Sequence, residues 1–233
     1  MKGNMKMNGG RFDIYAPIHK AFRMLMGETL TAVGRADAGD PASVAQVLGQ
    51  VRTLLDFCAM HVQDENAFVH TAIRARAPEW QGETPADHDH HLEEIAALRA
   101  EADAVEAAGP GGRTAAFTRL YRDLAVFVGE NFRHMEVEER DNNAMLWKLY
   151  TDAELIAIHD ALVASLPPQA VAEAMRLILL ASTPAERAAT LHMVRETAPE
   201  PVFDQMLEAI RPALTPLDRQ KLAVALTELA QAA

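Results

Sequence analysis

Apolar residues recur every three to four positions along this chain and show no alternating runs, so the pattern predicts helices throughout. The first predicted helix covers about 13–34, with Ile14, Ile18, Phe22, Leu25, Met26 and Val33 on one stripe. GRADAGDPAS follows as a loop, and Asp40–Pro41 reads as a cap followed by a first-turn proline. The second helix runs to about residue 75, its stripe being Val44, Val47, Val51, Leu54, Leu55, Cys58 and Val62. After the loop APEWQGETP, Thr84 is the predicted cap of a third helix, with Pro85 at its first position and Asp87 at the capping-box position. That helix ends near Ala108, GPGGR is a clear break, and a fourth extends from about 113 to 148.

The character changes after Tyr150. Shorter helices begin at Asp152, Pro168, Thr183, Pro199 and Thr215. Two faintly similar copies, at Thr183 and Thr215, do not establish a repeat. The expected fold class is all-α: an up-down four-helix bundle over 1–150, with a C-terminal helical extension over 151–233. That extension either packs on the bundle or forms a homodimer interface.

Composition narrows the function classes. A net charge of −11, from 22 basic and 33 acidic residues without a basic patch, argues against a nucleic-acid surface. The single cysteine, Cys58, excludes an internal disulfide and fits a reducing compartment. MKGNMKMNGGRFDIY has no apolar run after its lysines, so it does not read as a signal peptide. No stretch approaches the ~20 apolar residues that span a bilayer. The expectation is a soluble, cytoplasmic protein with no membrane partner.

Histidine supplies the candidate chemistry. His61 with Glu65 and His134 with Glu138 are four apart, and His88 with His91 three apart, so each pair shares one helical face. Placed at about 100° per residue, His19 falls between Ile18 and Phe22 in the first apolar stripe. His61 and Glu65 continue the line of Cys58 and Val62, and His134 and Glu138 that of Phe127 and Met135. On the third helix the stripe is Leu92, Ile95, Leu98 and Ala102; His88 and His91 lie near its centre, whereas His90 points away. A lone buried histidine is more often a hydrogen-bonded core residue than a ligand. A carboxylate in an apolar stripe is costly unless paired or bound to metal. Glu65 and Glu138 both occupy such positions, which makes a metal site the leading reading, and imidazole with carboxylate suits iron, zinc or manganese.

Other candidates read as ordinary. His70 lies well off the inner stripe, at the surface or behind the ligands. His159 and His192 read as structural, and Cys58 as a small buried hydrophobe. Tyr15 is either a donor beside His19 or core packing. Most of the acidic run EVEER is a solvated face, Glu138 excepted.

The arrangement over about 12–146 resembles the hemerythrin-like (HHE cation-binding) family: a first-helix histidine, then HVQDE, DHDHH and HMEVE on three further helices. The resemblance implies a non-haem di-iron centre between the helices of a four-helix bundle. His19, His61, His88, His91 and His134 would be its nitrogen ligands, and Glu65 and Glu138 its bridging carboxylates. Oxygen-carrying members have HxxxH on the third helix and HxxxxD on the fourth. Here His88 and His91 are three apart, the residue four before His91 is Asp87, an alternative ligand, and the fourth helix has HxxxE.

Two octahedral irons need about twelve positions. Five histidines, two bridging carboxylates and the oxo or hydroxo bridge that the resemblance implies leave one open. A small diatomic ligand or peroxide would enter there, and a histidine-rich shell favours binding or sensing of dioxygen, iron or redox state. The alternatives are a di-iron enzyme acting on peroxide or nitric oxide, and a helical interaction module with a structural metal, zinc or manganese included.

Overall fold

The computed structural model describes residues 10–232, and all of their regular structure of any length is helical. The helices are α1 (Ala16–Gly34), α2 (Pro41–Asp64), α3 (Thr71–Arg76), α4 (Thr84–Ala107), α5 (Pro110–Val137), α6 (Asn143–Leu149), α7 (Asp152–Ser165), α8 (Pro168–Ala181), α9 (Pro184–Thr197), α10 (Glu200–Ile210) and α11 (Pro216–Ala232). Two wide-turned π segments, Glu65–His70 and Glu138–Asn142, join α2 to α3 and α5 to α6 without breaking the helical path. Among the described residues no helix is long and apolar enough to cross a membrane.

Local chemistry explains the starts. Asp40 has extended backbone and its carboxylate accepts from the Ala42 and Ser43 N–H groups, with Pro41 in the first turn, as the sequence predicts. Thr183 and Glu186 form a reciprocal capping box at α9. The predicted Thr84 cap is corrected. Thr84 is already helical, and its hydroxyl lies 3.1 Å from His70 Nε2 instead of capping α4.

The chain divides into two compact units, Arg23–Ala164 and a second made of Met1–Phe22 with Ser165–Ala233. In the first, α4 packs against both α2 and α5. The core between them is built from Val51, Leu54 and Leu55 of α2, Ile95, Leu98 and Ala102 of α4, and Leu120, Leu124 and Phe127 of α5. These are the apolar stripes that helical periodicity predicts. Arg52 pairs with Asp103 and Glu106, and Arg99 with Asp56, bridging α2 and α4 at the surface. Exposed pairs of this kind contribute roughly 0–1 kcal/mol each, so the apolar seam does most of the holding. Beyond the π segments, Arg76 donates to the Leu149 carbonyl at 2.7 Å and Tyr150 Oη to the Ala72 carbonyl at 2.7 Å, tying α3 to α6.

The second unit has its own core of Leu179, Leu191, Val194, Phe203, Ile210, Leu214 and Leu222. The buried Arg187 guanidinium donates to the carbonyls of Leu179 (2.7 Å) and Ser182 (2.8 Å), satisfying the C-terminal end of α8. Lys20, on the first turns of α1, pairs with Glu186 at 2.6 Å within this unit. The sequence pattern places one break after Tyr150; the compact units divide at Phe22 and again at Ala164.

Candidate metal centre

Six of the seven candidate ligands lie in the unit Arg23–Ala164. His61 and His134 occupy the last turns of α2 and α5, and each is followed four residues later by a glutamate that opens a π segment. The two halves are therefore built alike. Single π turns inside α-helices recur at functional sites, because the wide turn re-aims the side chains that follow it.

Glu65, His88, His134 and Glu138 are all buried, and one donor atom from each lies within 4.8 Å of the others. His88 Nε2 is 3.1 Å from His134 Nε2, 3.3 Å from Glu65 Oε2 and 3.6 Å from Glu138 Oε1, and His134 Nε2 is 3.4 Å from Glu138 Oε1. His61, less deeply buried, places Nε2 3.2 Å from Glu65 Oε1. Nitrogen and oxygen donors about 2.1 Å from one ion sit roughly 3.0–3.4 Å apart. Four of the five spacings fall in that range and the fifth, His88 Nε2 to Glu138 Oε1 at 3.6 Å, lies just beyond it, so the donor set fits a transition-metal cation.

The outer nitrogens are anchored. His134 Nδ1 donates to Asp87 Oδ2 at 3.1 Å, and His88 Nδ1 donates to Asn66 Oδ1 at 2.9 Å. Each bond leaves Nε2 of its ring turned to the cluster, the arrangement by which metal-bound histidines are oriented. Asp87, the alternative ligand of the sequence reading, thus stands behind His134 with its side chain about half exposed.

Electrostatics follow from this crowding. Burial pulls His88 down, but its bonds to Glu138 and Glu65 outweigh that and raise its pKa to about 9. His134 is also raised: burial opposes it, and Glu138 and Glu65 prevail. Burial and the charge of Glu65 push Glu138 up, yet the bonds to His134 and His88 hold it below the usual carboxylate range. Asp64, at the margin, is lifted to about 6 by burial and by Glu65.

The remaining candidates sit as follows. His91 is buried next to the cluster, its ring 4.7 Å from that of His134 and edge-on to Phe127 at 6.2 Å. Its Nδ1 has no hydrogen-bond partner among the described residues. Burial, then the charges of His134 and His88, lower its pKa to about 4. His19 is buried on α1 with its ring 5.0 Å from Tyr15. His90 faces outward, as its position on the wheel predicts, beside Glu130 (3.3 Å) and Glu94 (3.7 Å). His159 and His192 are partly exposed, and Cys58 is buried with its thiol pKa raised by burial.

Of the two sequence placements for His70, at the surface or behind the ligands, the structure shows the second, behind His88. His70 is fully buried, stacked on His88 at 4.8 Å, with Nδ1 bonded to Asn66 at 2.9 Å. Burial, then the charge of His88, lower its pKa to about 4, so this ring is neutral at ordinary pH. Asn66, Thr84 and Asn142 complete a polar shell. Sequence reasoning read Thr84 as a cap and missed the other two, whose one signal, a polar residue one or four positions beyond a buried glutamate, is legible only once the wide turn is known.

Residues 12–146, more than half of the chain, match the family described as hemerythrin HHE cation binding domain. No curated protein matches the chain.

Proposed function

The chain belongs to the hemerythrin HHE cation-binding domain family, and on that premise we propose that it is a non-haem di-iron protein that binds dioxygen or senses oxygen, iron or redox state. The observation that carries this reading is the buried cluster of Glu65, His88, His134 and Glu138, with donors spaced as on one metal ion and no solvating route for its carboxylates. His61, on the other oxygen of Glu65, supports a second ion that shares that carboxylate. His19 and His91 enter as further nitrogen ligands on the family pattern, as does the up-down four-helix bundle.

Bound iron would supply a redox-active pair able to hold a small diatomic ligand. The residues do the rest. Asp87 and Asn66 keep the Nε2 atoms of His134 and His88 turned inward, and Glu65, His88 and Glu138 are themselves buried from bulk water. A histidine-rich set leaves less negative charge on the metals than carboxylate-rich centres do, which supports binding or sensing over oxygenation.

The test is anaerobic loading with ferrous iron, followed by metal analysis and optical spectra before and after air. The reading predicts about two irons per chain, as two octahedral sites require, and a new charge-transfer band on exposure. Substoichiometric iron with no spectral change would overturn it.

A further inference from the structure

Asn66 is the least conspicuous residue near the cluster and the one with the most consequential contacts. It follows Glu65 in the first π turn, and its Oδ1 lies 2.9 Å from Nδ1 of His88 and 2.9 Å from Nδ1 of His70. An amide oxygen only accepts, so both rings carry their proton on Nδ1. His70 Nε2 is then an acceptor for the Thr84 hydroxyl at 3.1 Å, and Thr84 Oγ1 accepts from Asn142 Nδ2 at 3.3 Å. Each of these donors has its acceptor, and the chain of bonds ends on His88.

The alternative is equally definite. With the Asn66 amide turned over, its NH2 would donate to both Nδ1 atoms. His88 would then carry its proton on Nε2, 3.3 Å from Glu65 and 3.6 Å from Glu138, in the place of a cation. Asn66 therefore decides which nitrogen of His88 a cation can take. His70 keeps the amide from drifting: it is buried, stacked on His88 with an interplanar angle of 21°, covered by Trp80 at 5.3 Å, and pinned at its far nitrogen by Thr84.

We propose that Asn66 is a positioning residue of the metal centre: its side-chain oxygen, braced by His70 and Thr84, holds the His88 ring with Nδ1–H outward and Nε2 presented to the cation. This rests on the metal-binding reading above. It gives a buried, non-ligating histidine a task, and it explains why Thr84 is not spent as a helix cap.

The experiment is Co2+ titration of the full chain against a chromophoric chelator, with the cobalt d–d spectrum and the thermal midpoint of the metal-free protein recorded alongside. Asn66→Leu keeps the branched shape and removes the acceptor. Asn66→Asp keeps an acceptor and adds charge. The expected result is a 10–100-fold weaker cobalt affinity in Asn66→Leu, the range found when such outer partners are lost, with affinity recovered and d–d bands displaced in Asn66→Asp. Wild-type affinity in Asn66→Leu would overturn the proposal, as would equal losses in both variants that track their thermal midpoints. Failure of the wild-type chain to take up cobalt would instead sink the metal-binding reading itself.

Discussion

His134 Nδ1 donates to Asp87 Oδ2 at 3.1 Å, joining the last turn of α5 to the first turn of α4. The sequence offers Asp87 as an alternative ligand because it stands four residues before His91. Its position behind His134 gives it a different task, fixing the proton on Nδ1 so that Nε2 is free.

Asp87→Ala is expected to weaken metal retention about 10–100-fold, and Asp87→Asn, which keeps an acceptor oxygen, by less. Because Asp87→Ala leaves the Nδ1–H of buried His134 without its acceptor, the metal-free fold should lose about 1–3 kcal/mol, and less in Asp87→Asn. Chelator competition and urea unfolding of the two variants check both halves.

Metal uptake should release protons. In the metal-free site His88 titrates at about 9, so at neutral pH it holds a proton that a cation must displace. Affinity is expected to rise with pH until that proton is gone. Calorimetry in buffers of different ionisation enthalpy should give a buffer-dependent heat; identical heats would contradict the prediction.

Stability of the metal-free protein has two opposing pH limits. His70 and His91, lowered to about 4, bind protons in the unfolded chain first. Their contribution is complete above 6.5, the ordinary histidine value, and is lost as pH falls from there toward 4. His88, raised to about 9, contributes fully below 6.5 and loses that contribution as pH rises through 9. Denaturant midpoints across pH should therefore fall on both sides of neutrality, and metal loading should remove most of the alkaline decline.

How far these features were legible depends on the constancy of the helical repeat. A wheel at about 100° per residue puts His61, Glu65, His88, His134 and Glu138 on inner faces, and the five side chains lie close together because each precedes or opens a π turn or lies on the regular α4. The same wheel put His70 about half a turn from His61. The wide turn beginning at Glu65 re-phases the helix, and His70 comes inside. Asn66 and Asn142 were invisible for the same reason. Thr84 misled differently: Thr-Pro with an acid at the third position is an ordinary capping pattern, and only the buried nitrogen of His70 explains where its hydroxyl goes.

The C-terminal unit offers an independent check. Arg187→Met removes the donors that satisfy the Leu179 and Ser182 carbonyls and is expected to destabilise that unit by about 1–3 kcal/mol. Hydrogen exchange should quicken across α8 and α9 in the variant.

The proposed metal pair depends on the buried carboxylates of Glu65 and Glu138. Its most direct test is iron per chain in the wild type and in Glu65→Gln/Glu138→Gln, both reconstituted anaerobically and checked for helix content by circular dichroism. The account predicts about two irons in the wild type, as two shared octahedral sites require, and essentially none in a variant that remains helical. Equal iron in the two proteins would contradict it.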